Sequence, residues 1–165
     1  MKERKFISKE NLIEKIQEYV EAQHSFDSIK NLILNYQKRS HLLFCLESLT
    51  NLANNGRVSP AVAKIAGILG IQMVGRASDE GTLEVLHKCR GTKSSIKTIY
   101  KEMLKAGYKG GKVRIGHCYN PSASLLLKEM ILEAFPSADV TMHQLTGLCS
   151  FYAERNGLMI GYESE

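Results

Sequence analysis

Residues 112–145, KVRIGHCYNPSASLLLKEMILEAFPSADVTMHQL, decide the fold class. Residues 112–119 alternate apolar and polar side chains, which predicts a strand. Asn120-Pro121 then opens a helix over 122–135. Asparagine caps a first turn, and proline fits the first helical position, where its missing N–H is not needed. Pro136 stops the helix, and 138–145 predicts the next strand. Strand, helix and strand at this spacing make two parallel neighbours joined by a right-handed crossover.

Working outward, TGLCSFYAERNG reads as a short turn-helix and LMIGYE, 158–163, as a last strand. Upstream, 93–107 places Ile96, Ile99, Tyr100, Met103 and Leu104 on one helical face and ends at Gly107. Residues 71–77 and 82–89 read as the strands of a hairpin around SDEG, 78–81. HLLFCLE, 41–47, is an apolar run suited to a buried strand. Two amphipathic helices precede it, over 9–23 and from Phe26 to Lys38. These segments predict an α/β fold: a mixed, mostly parallel sheet of about six strands with helices mainly on one face. Residues 1–40 lack a strand and read as a helical lead-in from a preceding unit, with 41–165 as the α/β domain.

The chain has 165 residues, 44% of them hydrophobic and 24% charged, enough to bury a core. It has no apolar run of the length of about 18 residues that a span needs, and its basic N-terminus has no apolar signal core. The net charge of +5 comes from residues scattered along the chain, with no basic stripe interleaved with aromatics. That argues against a nucleic-acid partner. Cys45, Cys89, Cys118 and Cys149 form no C-x-x-C pair and sit in apolar surroundings, as buried thiols of a reducing cytoplasm do. Neither zinc spacing nor a phosphate-binding loop is present, and GYKGGK, 107–112, is a helix–strand turn. No metal or cofactor is expected.

The richest stretch is NNGRVSPAVAKIAG, 54–67. Ser59 can cap a helix that begins at Pro60, and Val62 and Ala66 lie on the helix's small-residue face. Just before it stands Arg57, in a turn made by Gly56. A guanidinium there, beside open backbone N–H groups, suits a carboxylate or a phosphate. An arginine bonding a nearby carbonyl or a helix C-terminus fits the same spacing. The helix's small residues suit either an extended ligand or close packing on the sheet. His117-Cys118, His143 and Cys149 lie at or after the ends of two strands that read as parallel. One sheet edge would then gather them, as acyl or phosphoryl chemistry would require.

Residues 41–84, with Asn55-Gly56-Arg57-Val58-Ser59 and the hairpin tip Glu80-Gly81, resemble the C-terminal domain of DegV-family proteins. GLCSFYAERNGLMIGYE resembles the closing segment of one subgroup. The resemblance covers about residues 40 to 163. It implies a two-domain carrier that buries a long-chain fatty acid between its domains, in some bacteria presenting it to a fatty-acid kinase. The expected partners are therefore the fatty acid, the kinase and the protein's own N-terminal domain. Arg57 corresponds to the arginine near the ligand head group. Many members end in a histidine before a Gly-Pro-Gly turn; here Glu154 or a neighbour takes that place. A carboxylate there would repel an ionised fatty acid unless Arg57 or a proton offset it. The resemblance implies a non-enzyme. A protein-interaction module, or a fragment of an acyl- or phosphoryl-transfer enzyme, is the competing expectation.

Overall fold

The computed structural model describes residues 6–59, 70–78 and 83–164. The elements run α1 (Phe6–Glu21), α2 (Phe26–Arg39), β1 (Ser40–Leu46), α3 (Thr50–Asn54), β2 (Ile71–Ala77) and β3 (Leu83–Arg90). They continue with α4 (Thr92–Lys105), β4 (Val113–His117), α5 (Pro121–Ala134), β5 (Val140–Gln144), α6 (Gly147–Ala153) and β6 (Leu158–Glu163). The helix expected from Pro60, with Val62 and Ala66, and the hairpin tip Glu80-Gly81 lie outside the described residues.

The six strands form one mixed sheet in the order β3-β2-β1-β6-β4-β5. The α/β class and the strand number match the expectation, but the strand directions do not. The pairs β1–β2, β1–β6, β2–β3 and β4–β6 are antiparallel, and among the described residues only β4–β5 is parallel. The unit over 112–145 thus forms the parallel crossover it predicts. Its two flanking connections do not. α6 has seven residues, about 10 Å of helix at 1.5 Å per residue. That is too short to carry the chain back past β5, a five-residue strand of about 16 Å. β6 therefore starts at the edge where β5 ends and runs the other way. α4 does return the chain, but β4 settles beyond β2, β1 and β6 rather than beside β3.

Helices cover both faces, where the expectation placed them mainly on one. α4 and α5 pack on the face that carries Leu43, Cys45, Val74, Ile115, Leu158 and Ile160. Ile96, Ile99 and Met103 of α4 and Leu127 and Ile131 of α5 are fully buried there, each contributing about 1.5–3 kcal/mol by burial. The opposite face carries Leu42, Phe44, Leu46, Met73 and Met159, with Leu49 and Leu52 from the α3 region and Ala153 of α6. α1 lies on that second face across β6, β1 and β4.

An ion cluster fixes α1. Arg114 follows Val113 on β4 and so points to the α1 side, where it is nearly buried. Its Nε and Nη2 donate to Glu14 Oε1 and Oε2 at 3.1 and 2.8 Å. Nη2 also donates to Asp139 Oδ2 at 2.8 Å, and Nη1 to the Asp139 carbonyl at 3.1 Å. Lys112 Nζ reaches Glu14 at 3.0 Å and Glu18 at 2.7 Å. The Arg114 hydrogen bond holds Glu14 and Asp139 below the usual carboxylate range, and Lys112 does the same for Glu18.

Candidate functional site

The upper edge of the sheet, where β1, β4 and β5 end and β6 begins, collects the residues singled out from sequence. α3 leaves β1 there and closes in a turn. Asn55 Nδ2 donates to the Asn51 carbonyl at 2.8 Å and the Gly56 N–H to Ala53 at 3.0 Å. The Arg57 N–H donates to Leu52 at 2.7 Å. Gly56 has φ +66°, the left-handed conformation that suits glycine. Arg57 is thus pinned by its backbone to α3, while its side chain is exposed. Val58 turns inward against the Leu42–Phe44–Leu46 cluster, and Ser59 is exposed at the end of the described segment.

Glu154 sits opposite. It ends α6 with φ 53° and ψ −177°, a region populated almost only by glycine, with a strain of about 1–3 kcal/mol for other residues. Its Oε1 accepts the Asn51 N–H at 3.0 Å. Asn51 Nδ2 donates to the Phe151 carbonyl at 2.8 Å. The Asn51 N–H lies in the first turn of α3, where helical donors have no partner of their own. Leu49, the residue before α3, gives no side-chain cap. Glu154 supplies that missing acceptor.

The neighbouring loops are tied by amides. Asn156, at φ 67°, donates its N–H to the Cys118 carbonyl at 2.8 Å and its Nδ2 to Glu47 Oε2 at 2.9 Å. Its own carbonyl accepts Asn120 Nδ2 at 2.9 Å. Gln72 Nε2 reaches the other Glu47 oxygen at 2.9 Å. Sequence reading missed Glu47, Gln72 and Asn156. A glutamine between Ile71 and Met73, at the start of a strand that buries Met73 and Val74, was the available signal.

Of the four residues expected to gather at this edge, His117 and His143 stand on adjacent strands, His143 opposite Gly116. Burial first, and His143 second, push the His117 pKa down. His117 Nδ1 accepts the Asn120 N–H at 3.4 Å. Cys118 is buried, and its thiol aims at the Ser150 carbonyl at 4.0 Å. Cys118 and Cys149 both join the apolar cluster under α3 and α6. Among the described residues, no group of three or more His, Cys, Asp or Glu side chains is placed to hold a metal.

Apolar surface borders Arg57's edge. Phe151, whose carbonyl holds Asn51, is 46% exposed, Leu148 49% and Tyr119 71%. A cavity of about 630 Å³ opens at the other end of the sheet, between His41, Arg76, Glu102, Lys105 and Tyr162. Arg57 does not line it.

A mixed six-stranded sheet layered by helices, with an arginine turn at one edge, defines an α/β domain of a recognisable kind. The family profile described as "Uncharacterised protein, DegV family" matches residues 6–165. The chain belongs to the DegV family. The DegV domain-containing protein spr0652 of Streptococcus pneumoniae is 43% identical over 152 residues, 92% of this chain and 54% of that protein. The chain thus spans about half the length of the relatives it matches. A DegV family protein from Eubacterium eligens, solved loaded with heptadecanoic acid, superposes with a TM-score of 0.91 at 40% identity. It covers 94% of this chain and 56% of its own. The Streptococcus pneumoniae Fatty Acid Kinase (Fak) B3 protein, loaded with linoleic acid, gives a TM-score of 0.90 at 43% identity, over 93% of this chain and 55% of its own. Among the described residues, no helix is long and apolar enough to cross a membrane.

Proposed function

We propose that this chain binds long-chain fatty acids as one half of a two-part clamp, without catalysing a reaction on them. A preceding N-terminal domain supplies the other wall, and a fatty-acid kinase is the protein that receives the acyl group. Arg57 carries the reading: it is an exposed guanidinium on a rigid turn whose next residue, Val58, packs into the apolar cluster. That arrangement suits an anion with a greasy tail. Gly56 and Ser59 flank the carboxylate, and Val62 and Ala66 line the tail. Glu154 belongs to the same mouth. The two relatives at 40% and 43% identity that hold heptadecanoic and linoleic acid support the ligand class.

The energetics agree. An acyl tail offers roughly 0.8 kcal/mol per buried CH₂, so a tail of about 15 carbons outweighs the association cost only if walls enclose it on both sides. The non-catalytic part of the reading draws on Cys118, which is buried with its thiol turned to a carbonyl. No cofactor is invoked. The free cysteines, three of them buried, fit a cytoplasmic protein.

The test is lipid extraction and mass spectrometry of the complete protein purified under native conditions. Long-chain fatty acids in near-stoichiometric amount are expected, with retention lowered at least about tenfold by Arg57→Ala. A lipid-free protein that also ignores acyl probes ends the proposal.

A further inference from the structure

We infer that Glu154 is a positioning residue for Arg57, acting through α3 rather than on the ligand. This rests on the fatty-acid reading above. The path is continuous. Glu154 Oε1 holds the Asn51 N–H at 3.0 Å, and the Phe151 carbonyl holds Asn51 Nδ2 at 2.8 Å. α3 ends three residues later, and its Leu52 carbonyl accepts the Arg57 N–H at 2.7 Å. The anchor on α6 and the guanidinium turn are therefore joined by one short helix held at both ends.

The backbone makes the case specific. Glu154 occupies a conformation that suits glycine and strains glutamate. A glutamate kept there needs a task for its side chain, and the bond to Asn51 is that task. The same bond gives the Glu154 carboxylate a partner within the protein. One Glu154 oxygen is engaged by the Asn51 N–H of α3. The arginine alone is left to meet the anion.

Four variants of the complete protein test this: Glu154→Gln, Glu154→Gly, Arg57→Ala and the Glu154→Gly/Arg57→Ala double variant. The readouts are the dissociation constant of a fluorescent acyl probe and hydrogen exchange at the Arg57 amide. Gln keeps the acceptor, so Glu154→Gln binds the probe like the parent. Gly fits the backbone, so Glu154→Gly melts within a few degrees of the parent, yet binds about tenfold more weakly because the side-chain acceptor for the Asn51 N–H is gone. In the Arg57→Ala background the same Gly substitution has no further effect. The Arg57 amide exchanges faster in Glu154→Gly and not in Glu154→Gln.

Weakening by Glu154→Gln equal to that by Glu154→Gly would overturn the inference, because the acceptor that Gln keeps would then not be what supports binding. So would a loss of undiminished size in the Arg57→Ala background. If Arg57→Ala alone leaves probe binding intact, the fatty-acid role of Arg57 fails, and exchange still decides the coupling. An Arg57 amide unmoved by Glu154→Gly refutes it.

Discussion

The two ends of the sheet use charge in opposite ways. At the lower end, Arg114 is nearly buried and every direction of its fork is taken, by Glu14, Asp139 and two carbonyls. At the upper end, Arg57 is exposed and, among the described residues, held through its main chain. The lower end is joined by ions and the upper end by amides: Asn51, Asn120, Asn156 and Gln72. The upper end also carries three residues other than glycine at positive φ, Tyr119, Glu154 and Asn156. A buried ion pair fixes an element in place but leaves no charge to offer. A lattice of amides on the Glu47 and Glu154 carboxylates can hold a turn and still leave its guanidinium exposed.

The sharpest way to break this contrast is Arg114→Ala. It would take the fork from Asp139 and leave Glu14 only its bond to Lys112, and unfolding in urea should show a loss of about 3 kcal/mol. A loss under about 1 kcal/mol would mean that Arg114 is not what holds α1. Next is Gly157→Ala at the upper end, where an added Cβ would collide with the Ala153 carbonyl. A loss of about 2 kcal/mol is expected by calorimetry, with the Glu154 turn disturbed.

Acid should act on the lower end. Glu14, Glu18 and Asp139 have lowered pKa values when folded, so their stabilisation is complete above the unfolded carboxylate range, about pH 4. It is lost as pH falls through their lowered values. Urea midpoints between about pH 6 and pH 3 should drop in the parent and drop less in Arg114→Ala. The smallest effect on stability belongs to Arg57→Ala, within about 0.5 kcal/mol. Its consequence is expected in lipid retention instead, and equal losses of both would erase the distinction between the ends.

Local pattern made most of the elements legible. Ile71–Ala77 and Leu158–Glu163 have the bounds their apolar runs indicate, and Asn120 caps α5 through the Ala123 N–H as its position before proline implies. What local pattern could not carry was direction. β5 and β6 both read as strands, and only the length of α6 decides whether the chain returns or reverses. The ties at both ends were hidden for another reason. Glu154 and Asn51 lie 103 residues apart, and Arg114 and Glu14 lie 100 apart. Periodicity sees a few turns of chain and no further. Arg114 between Val113 and Ile115 was the one local warning, a cation at a position that an interior strand buries. Arg57 and Gly56 were legible because a turn's composition is local, and Glu154 was picked out only by likeness to a family. Its bond to Asn51 was not visible at all.

The pairing of β6 between β1 and β4 has a consequence for how the molecule is made. Without Leu158–Glu163 the sheet is two separate ribbons, β3-β2-β1 and β4-β5, each with a raw inner edge. The seam between them can close only after those residues have left the ribosome. Nascent chains stalled a few codons earlier should therefore stay open to proteases and chaperones along that seam.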